Sequence, residues 1–353
     1  MNTKITLVLD SNQNYVKLLV PCLVSILYNK KPSTELDIYI FDAGISNYDK
    51  NKIKELATFN NTNNCTISFI DCKKEFSNID TNNEEIKKRF GAATLRRLLV
   101  PKLFKHIDRV LYLDVDTIVR GDLLDFFNQD LEGYYCAANK GKFKVQKNYL
   151  NSAINYNSKF CKVIDVLLEM GIPKEMLNSD EQYNVNGGVI LYNNQKINKD
   201  NKAEELINLG IKYSSCVLYI DENTIVAVFK NKIKAMQPIY NYWIPNEEYI
   251  LAVDSIKTKY SSLLKNAIIY HFGGKARPSN FNKLFKIPEA AYKEFYKYFQ
   301  MSYLRINPIK LNFIFILASI KRFRFRMFGT SVIDGKKVFR FFKFRLVLKD
   351  VAK

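Results

Sequence analysis

Three short apolar runs near the N-terminus, separated by helical patterns, place the strongest constraint on the fold. The runs are KITLVLD, LDIYIFD and TISFID, which end at Asp10, Asp42 and Asp71. Apolar residues recur at helical spacing from Tyr15 to Ile26, and a second helical stretch, DKNKIKELATF, follows the second run. This alternation is typical of an α/β fold, because parallel strands need crossover connections. We therefore predict a mainly parallel, twisted sheet flanked by helices.

A fourth apolar run, RVLYLDVDTIVRGDL, ends in two aspartates that are one residue apart. In an extended strand Asp114 and Asp116 point to the same side, with Val115 opposite. Ligands bind at the carboxyl ends of parallel strands, and two oxygen ligands there suit Mn²⁺ or Mg²⁺, which would in turn hold phosphate oxygens. The alternative is that the aspartates only end the strand or cap a turn. Taken alone, the D-x-D pattern favours that plainer alternative.

Length, composition and charge indicate one large domain with a basic appendage. The chain has 353 residues, of which 47% are hydrophobic and 14% aromatic, so it can bury a sizeable core. Its formal charge of +19 is uneven, because residues 300–353 contain thirteen Lys or Arg and two Asp. We therefore expect an α/β domain over 1–285 and a basic, aromatic C-terminal extension over 286–353.

Cysteine usage and hydropathy favour the cytoplasm. The six cysteines include no C-x-x-C pair, which is typical of reduced thiols and not of a disulfide framework or a zinc site. The N-terminal apolar stretch, Ile5 to Leu9, is shorter than the apolar segment of a signal peptide. No run approaches the roughly 20 apolar residues of a membrane span. A cytoplasmic location is therefore expected.

Six segments between residues 4 and 280 match the motifs of one family when they are taken in order. They are NYVKLLVPCLVSI, ATLRRLLVPKLF with RVLYLDVDTIVRGDL, NGGVILYN, DENTIVAVF, YNYW and HFGGKARPS. Together they resemble the family 8 retaining glycosyltransferases, which include bacterial lipopolysaccharide galactosyl- and glucosyltransferases and glycogenin. The resemblance implies a GT-A type nucleotide-sugar-binding fold over 1–285. It also implies transfer of a hexose from a UDP-sugar to a glycan or lipid-linked acceptor in bacterial surface polysaccharide or lipopolysaccharide synthesis.

By this resemblance, Asp114, Asp116 and His271 would coordinate one Mn²⁺ (or Mg²⁺) that bridges the two phosphates of the donor. His271 ends the apolar strand NAIIYH and could instead be a hydrogen-bonded core residue. The motif after it favours a metal ligand. Gly274 and Arg277 stand where the family has Gly and Lys. Glycine lets backbone N–H groups approach the diphosphate, and a cation supplies charge.

The resemblance also assigns residues to the nucleoside and to the sugar. Asn14 and Tyr15 would contact uracil and ribose, and Asn12 replaces the aspartate that usually precedes them. Arg97 matches the arginine that touches the donor sugar. The alternative for Arg97 is a surface side chain that pairs with a neighbour, since Arg96 adjoins it.

Two further segments would lie beside the sugar. Asn186, Gly187 and Gly188 belong to NGGVILYN, where the glycine pair could also be only a β-bulge. Asp221 matches the sugar-binding aspartate and is expected to cap a helix, whereas the family's next residue, Gln, is Glu222 here. A carboxylate at that position could act as a nucleophile or stabilise an oxocarbenium-like state. Alternatively, Glu222 points to solvent in the first helical turn, where acids are favoured.

The C-terminal extension interleaves Phe with Lys and Arg. Phe313, Ile316, Leu317 and Ile320 have helical spacing, whereas FRFRMF also fits the period of a strand, so its secondary structure stays open. Such a segment suits an anionic membrane, and the protein would then be peripheral on the cytoplasmic face of the inner membrane. The alternatives are a helical pair packed on the domain with its basic face solvated, and, least favoured, a surface for single-stranded nucleic acid.

A different class of function competes with the enzyme. The chain could be a non-catalytic membrane- or nucleic-acid-binding module on a degenerate nucleotide-sugar fold, although the intact Asp114, Asp116, Asp221 and His271 argue against degeneration. Within the enzymatic hypothesis, the sequence does not distinguish UDP-glucose from UDP-galactose as the donor, because one contact to one hydroxyl decides between them.

Overall fold

The computed structural model describes most of the chain. The described residues are 3–61, 64–71, 93–141, 145–146, 160–161, 168, 174, 184–212, 220–244, 264–273, 277–333, 336–341 and 344–350.

The described strands run from the first apolar segment to the C-terminal extension. They are β1 (Lys4–Ser11), β2 (Glu35–Asp42), β3 (Cys65–Asp71), β4 (Arg109–Leu113), β5 (Thr117–Val119), β6 (Cys136–Gly141), β7 (Val145–Gln146), β8 (Phe160–Cys161), β9 (Asn184–Asn193), β10 (Ile233–Ala235), β11 (Tyr242–Trp243), β12 (Ile269–His271), β13 (Phe328–Ile333), β14 (Lys336–Phe341) and β15 (Phe344–Asp350).

The described α-helices are α1 (Val16–Asn29), α2 (Asn47–Glu55), α3 (Ala93–Arg96), α4 (Val100–Leu103), α5 (Leu124–Phe127), α6 (Asn194–Lys199), α7 (Lys202–Lys212), α8 (Ile220–Phe229), α9 (Glu289–Gln300) and α10 (Pro308–Met327). Short 3₁₀ helices occupy Gln13–Tyr15, Leu56–Asn61, Arg97–Leu99, Pro238–Tyr240 and Phe281–Lys286. Of the helices in these ranges, none combines the length and the hydropathy that a membrane-spanning helix needs.

The chain divides into two compact units. The first unit contains residues 1–16, 30–115 and 122–237, and the second contains residues 17–29, 116–121 and 238–353.

The first unit is built on a seven-stranded sheet with the order β10-β6-β9-β4-β1-β2-β3. The pairings β1–β2, β2–β3, β1–β4 and β6–β10 are parallel, whereas β9 pairs antiparallel with β4 and β6. The prediction of a mainly parallel sheet flanked by helices is therefore confirmed.

The central strands explain why the apolar runs are continuous. In β1, Ile5, Leu7, Val8 and Leu9 are all fully buried, so both faces of the strand are covered. A strand of that kind cannot alternate polar and apolar residues, because each face packs against other side chains. The edge strand β3 alternates instead, since its solvent-facing positions are not buried. The carboxylates that end β1, β2 and β3 lie at the same edge of the sheet.

The second unit contains a separate small sheet with the order β11-β12-β5. Strand β12 pairs antiparallel with β5, which places His271 opposite Thr117. The motif strand NAIIYH thus belongs to this small sheet. An aromatic cluster packs in the same unit, where the ring of Phe295 contacts Phe272, Tyr296 and Phe299.

The C-terminal extension begins with a helix and continues as strands. Helix α10 extends through most of FRFRMF to Met327, and β13, β14 and β15 then form an antiparallel sheet. Helix α8 begins at Ile220, so the expectation that Asp221 caps this helix is wrong. Asp221 lies inside its first turn, and Thr224, Ile225 and Val228 are buried as expected.

Candidate functional site

Arg97 joins two of the predicted site residues in the first unit. It begins the 3₁₀ turn after α3, Asp114 directly follows β4, and Asp221 lies in the first turn of α8. Arg97 Nη2 is 2.9 Å from Asp114 Oδ1, and Nη1 is 2.9 Å from Asp221 Oδ2. The side chain of Arg97 is 12% exposed and that of Asp221 is 4% exposed. The structure therefore brings three predicted residues together in one ion-pair network.

This network decides between the two interpretations of Arg97. Its own burial would lower the pKa of Arg97, but the charge of Asp114, with Tyr112, Asp221 and Glu222, outweighs burial and raises it. A buried arginine between two carboxylates stays ionised and fixes both in place. The interpretation of Arg97 as a surface residue is wrong, because the element that carries it packs its side chain inward.

The adjacent Arg96 forms a second ion pair that the sequence analysis did not predict. Its guanidinium binds both carboxylate oxygens of Asp10 at the end of β1, with Nη2 2.7 Å from Oδ1. Burial raises the pKa of Asp10 even though Arg96 opposes that shift. A signal was present, because Asp10 and Asp114 both end neighbouring parallel strands and the two arginines are adjacent.

Tyr112 is another residue that the sequence analysis missed. Its hydroxyl donates to Asp114 Oδ1 over 3.0 Å, and the Arg97 guanidinium lies 5.0 Å from the centre of its ring. Burial, with the negative charge of Asp114, raises the pKa of the Tyr112 hydroxyl, so it remains a donor at neutral pH. The alternation of side chains between the two faces of a strand would have predicted this contact, since residues two apart share a face.

Strand β9 departs from regular pairing where the glycine pair lies. Ala138 pairs with Ile190, but Asn139 pairs with Asn186, so the register shifts across Gly187 and Gly188. A Cβ on Gly187 would collide with Arg97 Nη1 and lie 2.9 Å from Asp221 Oδ2. The two interpretations of the glycine pair are thus compatible, because the irregular strand is what allows the backbone to approach the ion pairs.

Gly188, the neighbour of Gly187, is held by hydrogen bonds from the end of β4 and within β9. Asp114 donates its backbone N–H to Gly188 O over 2.7 Å, and Gly188 donates its own N–H to Asn186 Oδ1 over 3.1 Å. The side chain of Asn186 is therefore tied to the backbone of the glycine pair.

Glu222 turns toward the same strand. Its Oε1 accepts the N–H of Gly187 over 2.8 Å. Burial, followed by the charge of Asp221, raises the pKa of Glu222 to about 8, although the Gly187 hydrogen bond and Arg97 oppose the shift. The interpretation in which Glu222 points to solvent is wrong. Its carboxylate accepts the backbone N–H of Gly187, which lies where the pairing of β9 is irregular.

The residues predicted to bind the nucleoside form a turn after β1. Asn12 Oδ1 accepts the N–H of Asn14 over 2.9 Å and caps the 3₁₀ helix that contains Tyr15. Asn14 is exposed and Tyr15 is half-buried. Asn12 thus stabilises the turn by capping its short helix. Contact of these three residues with uridine stays a prediction.

In the second unit, Asp116 and His271 face each other. His271 Nε2 is 3.3 Å from Asp116 Oδ1, and both side chains are buried. Arg277 Nε donates to Asp116 Oδ2 over 3.3 Å. Burial would raise the pKa of Asp116, but the hydrogen bond and charge of His271, with Arg277, lower it to about 2.

Asn241 positions the histidine, a role that the sequence analysis did not assign. His271 Nδ1 is 2.9 Å from Asn241 Oδ1. When Nδ1–H donates to this amide oxygen, Nε2 either donates its own proton to Asp116 or, without that proton, can bind a cation. Metal-binding histidines are usually oriented by such a hydrogen bond on their other nitrogen. The motif YNYW contains Asn241, so the signal was in the sequence.

These residues fit a divalent cation. Asp116 and His271 offer two candidate ligand atoms, and Asp114 stays near Asp116 in the chain because the two are only two residues apart. Carboxylate oxygens and a neutral imidazole suit Mn²⁺, and carboxylates also suit Mg²⁺. Gly274, which was predicted to approach the diphosphate, lies outside the described residues.

Comparison with known sequences identifies the family. Residues 6–280 match the family described as Glycosyl transferase family 8. A Haemophilus influenzae protein, provisionally named a glycosyltransferase, is 26% identical over 237 residues, which cover 67% of this chain and 62% of that protein. General stress protein A of Bacillus subtilis is 24% identical over 314 residues, which cover 85% of this chain and 93% of that protein.

Solved structures share the fold at low sequence identity. The bifunctional glycosyltransferase WbbM has a TM-score of 0.67 and 20% identity, with 91% of this chain and 52% of that chain covered. The galactosyltransferase LgtC, solved with donor and acceptor sugar analogs, has a TM-score of 0.58 and 18% identity. The match covers 88% of this chain and 100% of that chain. The fold is therefore of the GT-A type. Because the family match covers most of the chain and includes every charged group described above, this protein belongs to glycosyl transferase family 8.

Proposed function

We propose that this protein is a retaining hexosyltransferase that uses a UDP-sugar. The observation that carries the proposal is the network in which Arg97 binds Asp114 and Asp221 against the irregular backbone at Gly187. Buried charges cost stability unless they are paired, and they are retained at functional sites. Family 8 membership makes a glycosyl donor the appropriate ligand for such a network.

We propose that Asp114, Asp116 and His271 hold one Mn²⁺ or Mg²⁺ ion. The ion would neutralise the charge that develops on the departing diphosphate. The state of Asp116 supports this assignment, because His271 and Arg277 lower the pKa of its carboxyl and keep it ionised although it is buried. Arg277 brings a second cation to Asp116, and with Gly274 it would contact the diphosphate.

The donor sugar, glucose or galactose, would lie against Arg97, Asp221, Asn186 and the glycine pair. These groups offer charged and amide hydrogen-bond partners for sugar hydroxyls. Asn14 and Tyr15 would contact uracil and ribose beside Asn12.

In the proposed reaction, the bond between the anomeric carbon and the phosphate oxygen breaks, and its electron pair leaves with UDP. The acceptor oxygen bonds to the same face of that carbon and gives its proton to the departing phosphate. Glu222 would stabilise the positive charge at the carbon without forming a lasting covalent bond. Its raised pKa makes the ionised form the minor one at pH 7, so turnover should rise with pH through about 8.

The proposed acceptor is a glycan or a lipid-linked oligosaccharide of bacterial surface polysaccharide or lipopolysaccharide synthesis. The basic C-terminal extension supports a peripheral position on the cytoplasmic face of the inner membrane, where a lipid-linked acceptor would be within reach.

The first experiment measures UDP release from a panel of UDP-sugars with Mn²⁺, with Mg²⁺ or with EDTA. Wild type is compared with Asp116→Ala and with the control Asp125→Ala, which removes an exposed carboxylate. We expect release from one donor, abolished by EDTA and reduced at least a thousandfold by Asp116→Ala. The control should keep wild-type turnover.

The outcomes separate the two classes of function. Metal-dependent UDP binding without release would indicate that the reaction lacks its acceptor, and the panel would be repeated with lipid-linked glycans. If neither release nor UDP binding occurs, the enzymatic proposal is wrong and a non-catalytic binding module is the better description.

A further inference from the structure

Helix α10 has an apolar face on each of two sides. One face packs within the second unit, where Leu311 and Ala318 are buried and the ring of Phe315 contacts Tyr292 and Tyr296. An ordinary amphipathic helix would present polar residues on the opposite side. This helix does not.

The side that faces solvent carries six large apolar residues, which we call the outer face. Their exposed fractions lie between 39% and 80%. Successive members are spaced one, three or four residues apart, so they form one stripe along the helix. The outer face consists of Ile309, Phe313, Ile316, Leu317, Ile320 and Phe323.

Three exposed basic residues lie at one edge of this stripe. Lys310, Lys321 and Arg324 are exposed, and at 100° per residue they border one edge of the outer face. Arg322 is different, because it is buried and binds Glu289 and the backbone oxygens of Leu284 and Ile287. Residues 308–327 contain no Asp or Glu. The solvent side of the helix therefore carries a broad apolar stripe and no acidic residue.

The apolar stripe and its basic edge favour an anionic membrane over a second copy of the chain as the partner of the outer face. A contiguous exposed patch of large apolar side chains marks an interaction site. A second copy of the chain, paired through the same face, would offer these basic residues no acidic partner on the helix. Lipid phosphates offer the complementary charge, and the acyl boundary accepts the apolar side chains.

We propose that the outer face of α10 docks on an anionic lipid membrane with the helix lying in the plane of the interface. Phe and Ile side chains enter the boundary between headgroups and acyl chains, while Lys310, Lys321 and Arg324 contact lipid phosphates. The proposal rests on the peripheral position proposed above and assigns it to one face of one helix, in a binding step that needs neither donor nor acceptor.

The test is co-sedimentation of the full chain with vesicles. One set contains equal parts of phosphatidylglycerol and phosphatidylcholine, and the other contains phosphatidylcholine alone. We expect wild type to pellet with the anionic set and to dissociate partly at high salt. The variant Phe313→Ser/Ile320→Ser removes two anchors without changing charge and should bind at least tenfold more weakly.

Two further variants separate insertion from general attraction. Asn312→Ala/Ser319→Ala changes exposed residues beside the stripe on the same helix and should bind like wild type. Lys321→Gln/Arg324→Gln should lose most of the salt-sensitive part of the binding. Because all these positions are exposed, thermal unfolding should match wild type for each variant.

Two results would overturn the proposal. One is that Phe313→Ser/Ile320→Ser pellets as well as wild type. The other is that wild type is a dimer by light scattering and the same variant is a monomer, which would assign the outer face to a second copy. Neither result depends on UDP release, so failure here and failure of the proposed enzyme activity are distinguishable.

Discussion

The ion-pair network of the first unit and the outer face of α10 depart from ordinary burial in opposite directions. The network buries Asp221 and most of Arg97 and leaves Asp114 only partly exposed, whereas the outer face exposes Phe and Ile side chains to water. Both departures carry a free-energy cost, so both are informative about function. In the network that cost is offset internally by close pairing. On the outer face, the membrane that we propose would supply the offset by covering the stripe.

This difference has consequences for mutation. A residue in the network is coupled to its partners, so its loss leaves uncompensated charge inside the protein. A residue on the outer face has no such coupling to the fold, so its loss should affect binding and leave stability unchanged. The following predictions test this contrast.

The largest effect is expected for Arg97→Met, which keeps the volume and removes the charge. Asp221 would then be buried, and Asp114 partly buried, without their cation, and the free energy of unfolding should fall by about 3–5 kcal/mol. Urea denaturation measures this loss. The control Arg305→Met removes an exposed guanidinium and should stay within about 0.5 kcal/mol of wild type. A cost below about 1 kcal/mol for Arg97→Met would contradict the network.

Glu222→Gln should change how stability depends on pH. The unfolded carboxyl loses its proton near its usual pKa of 4.5, whereas the folded carboxyl keeps it until about pH 8. Wild type therefore loses stability as pH rises through this window, and no further loss from this group occurs above it. The glutamine cannot ionise, so the variant should be more stable than wild type at pH 8 by roughly 2 kcal/mol or more.

Thermal unfolding from pH 5 to pH 9 measures this difference between the two proteins. Glu132→Gln, which removes an exposed carboxyl, is the matched control and should follow the wild-type curve. Parallel curves for wild type and Glu222→Gln would show that the Glu222 carboxyl is not buried. Retention of most of the turnover by Glu222→Gln would exclude a nucleophilic role.

Gly187→Ala should cost about 1–3 kcal/mol, because the added methyl group collides with the Arg97 guanidinium held by two ion pairs. Gly121→Ala is the control, since its Cβ would meet only Ile268 at an ordinary contact distance of 3.5 Å. Calorimetric unfolding of the two variants tests the close approach. Equal stability would mean that Arg97 moves away at little cost.

The smallest effect on stability is expected for Ile316→Ser on the outer face, within about 0.5 kcal/mol. Leu311→Ser on the buried side of the same helix should cost about 2–5 kcal/mol. Urea denaturation of this pair compares two apolar residues of one helix. Similar costs for both would show that the outer face is covered within the protein itself.

Much of the architecture could be predicted because it is encoded locally. The apolar runs that end at Asp10, Asp42 and Asp114 are buried strands of the main sheet, and D-x-D follows its central strand. Six motifs in order were enough to indicate the family, which the match over residues 6–280 confirms. Local pattern failed at one boundary, since α8 begins before Asp221.

What the sequence by itself determined is which residues are chemically suitable and on which elements they lie. Only the tertiary structure decided that Arg97 binds both Asp114 and Asp221, that Glu222 turns toward Gly187, and that α10 exposes an apolar face. The physical reason is the same in each case. Periodicity reports which side of a helix or strand is apolar, but pairing and burial depend on residues far away in the chain.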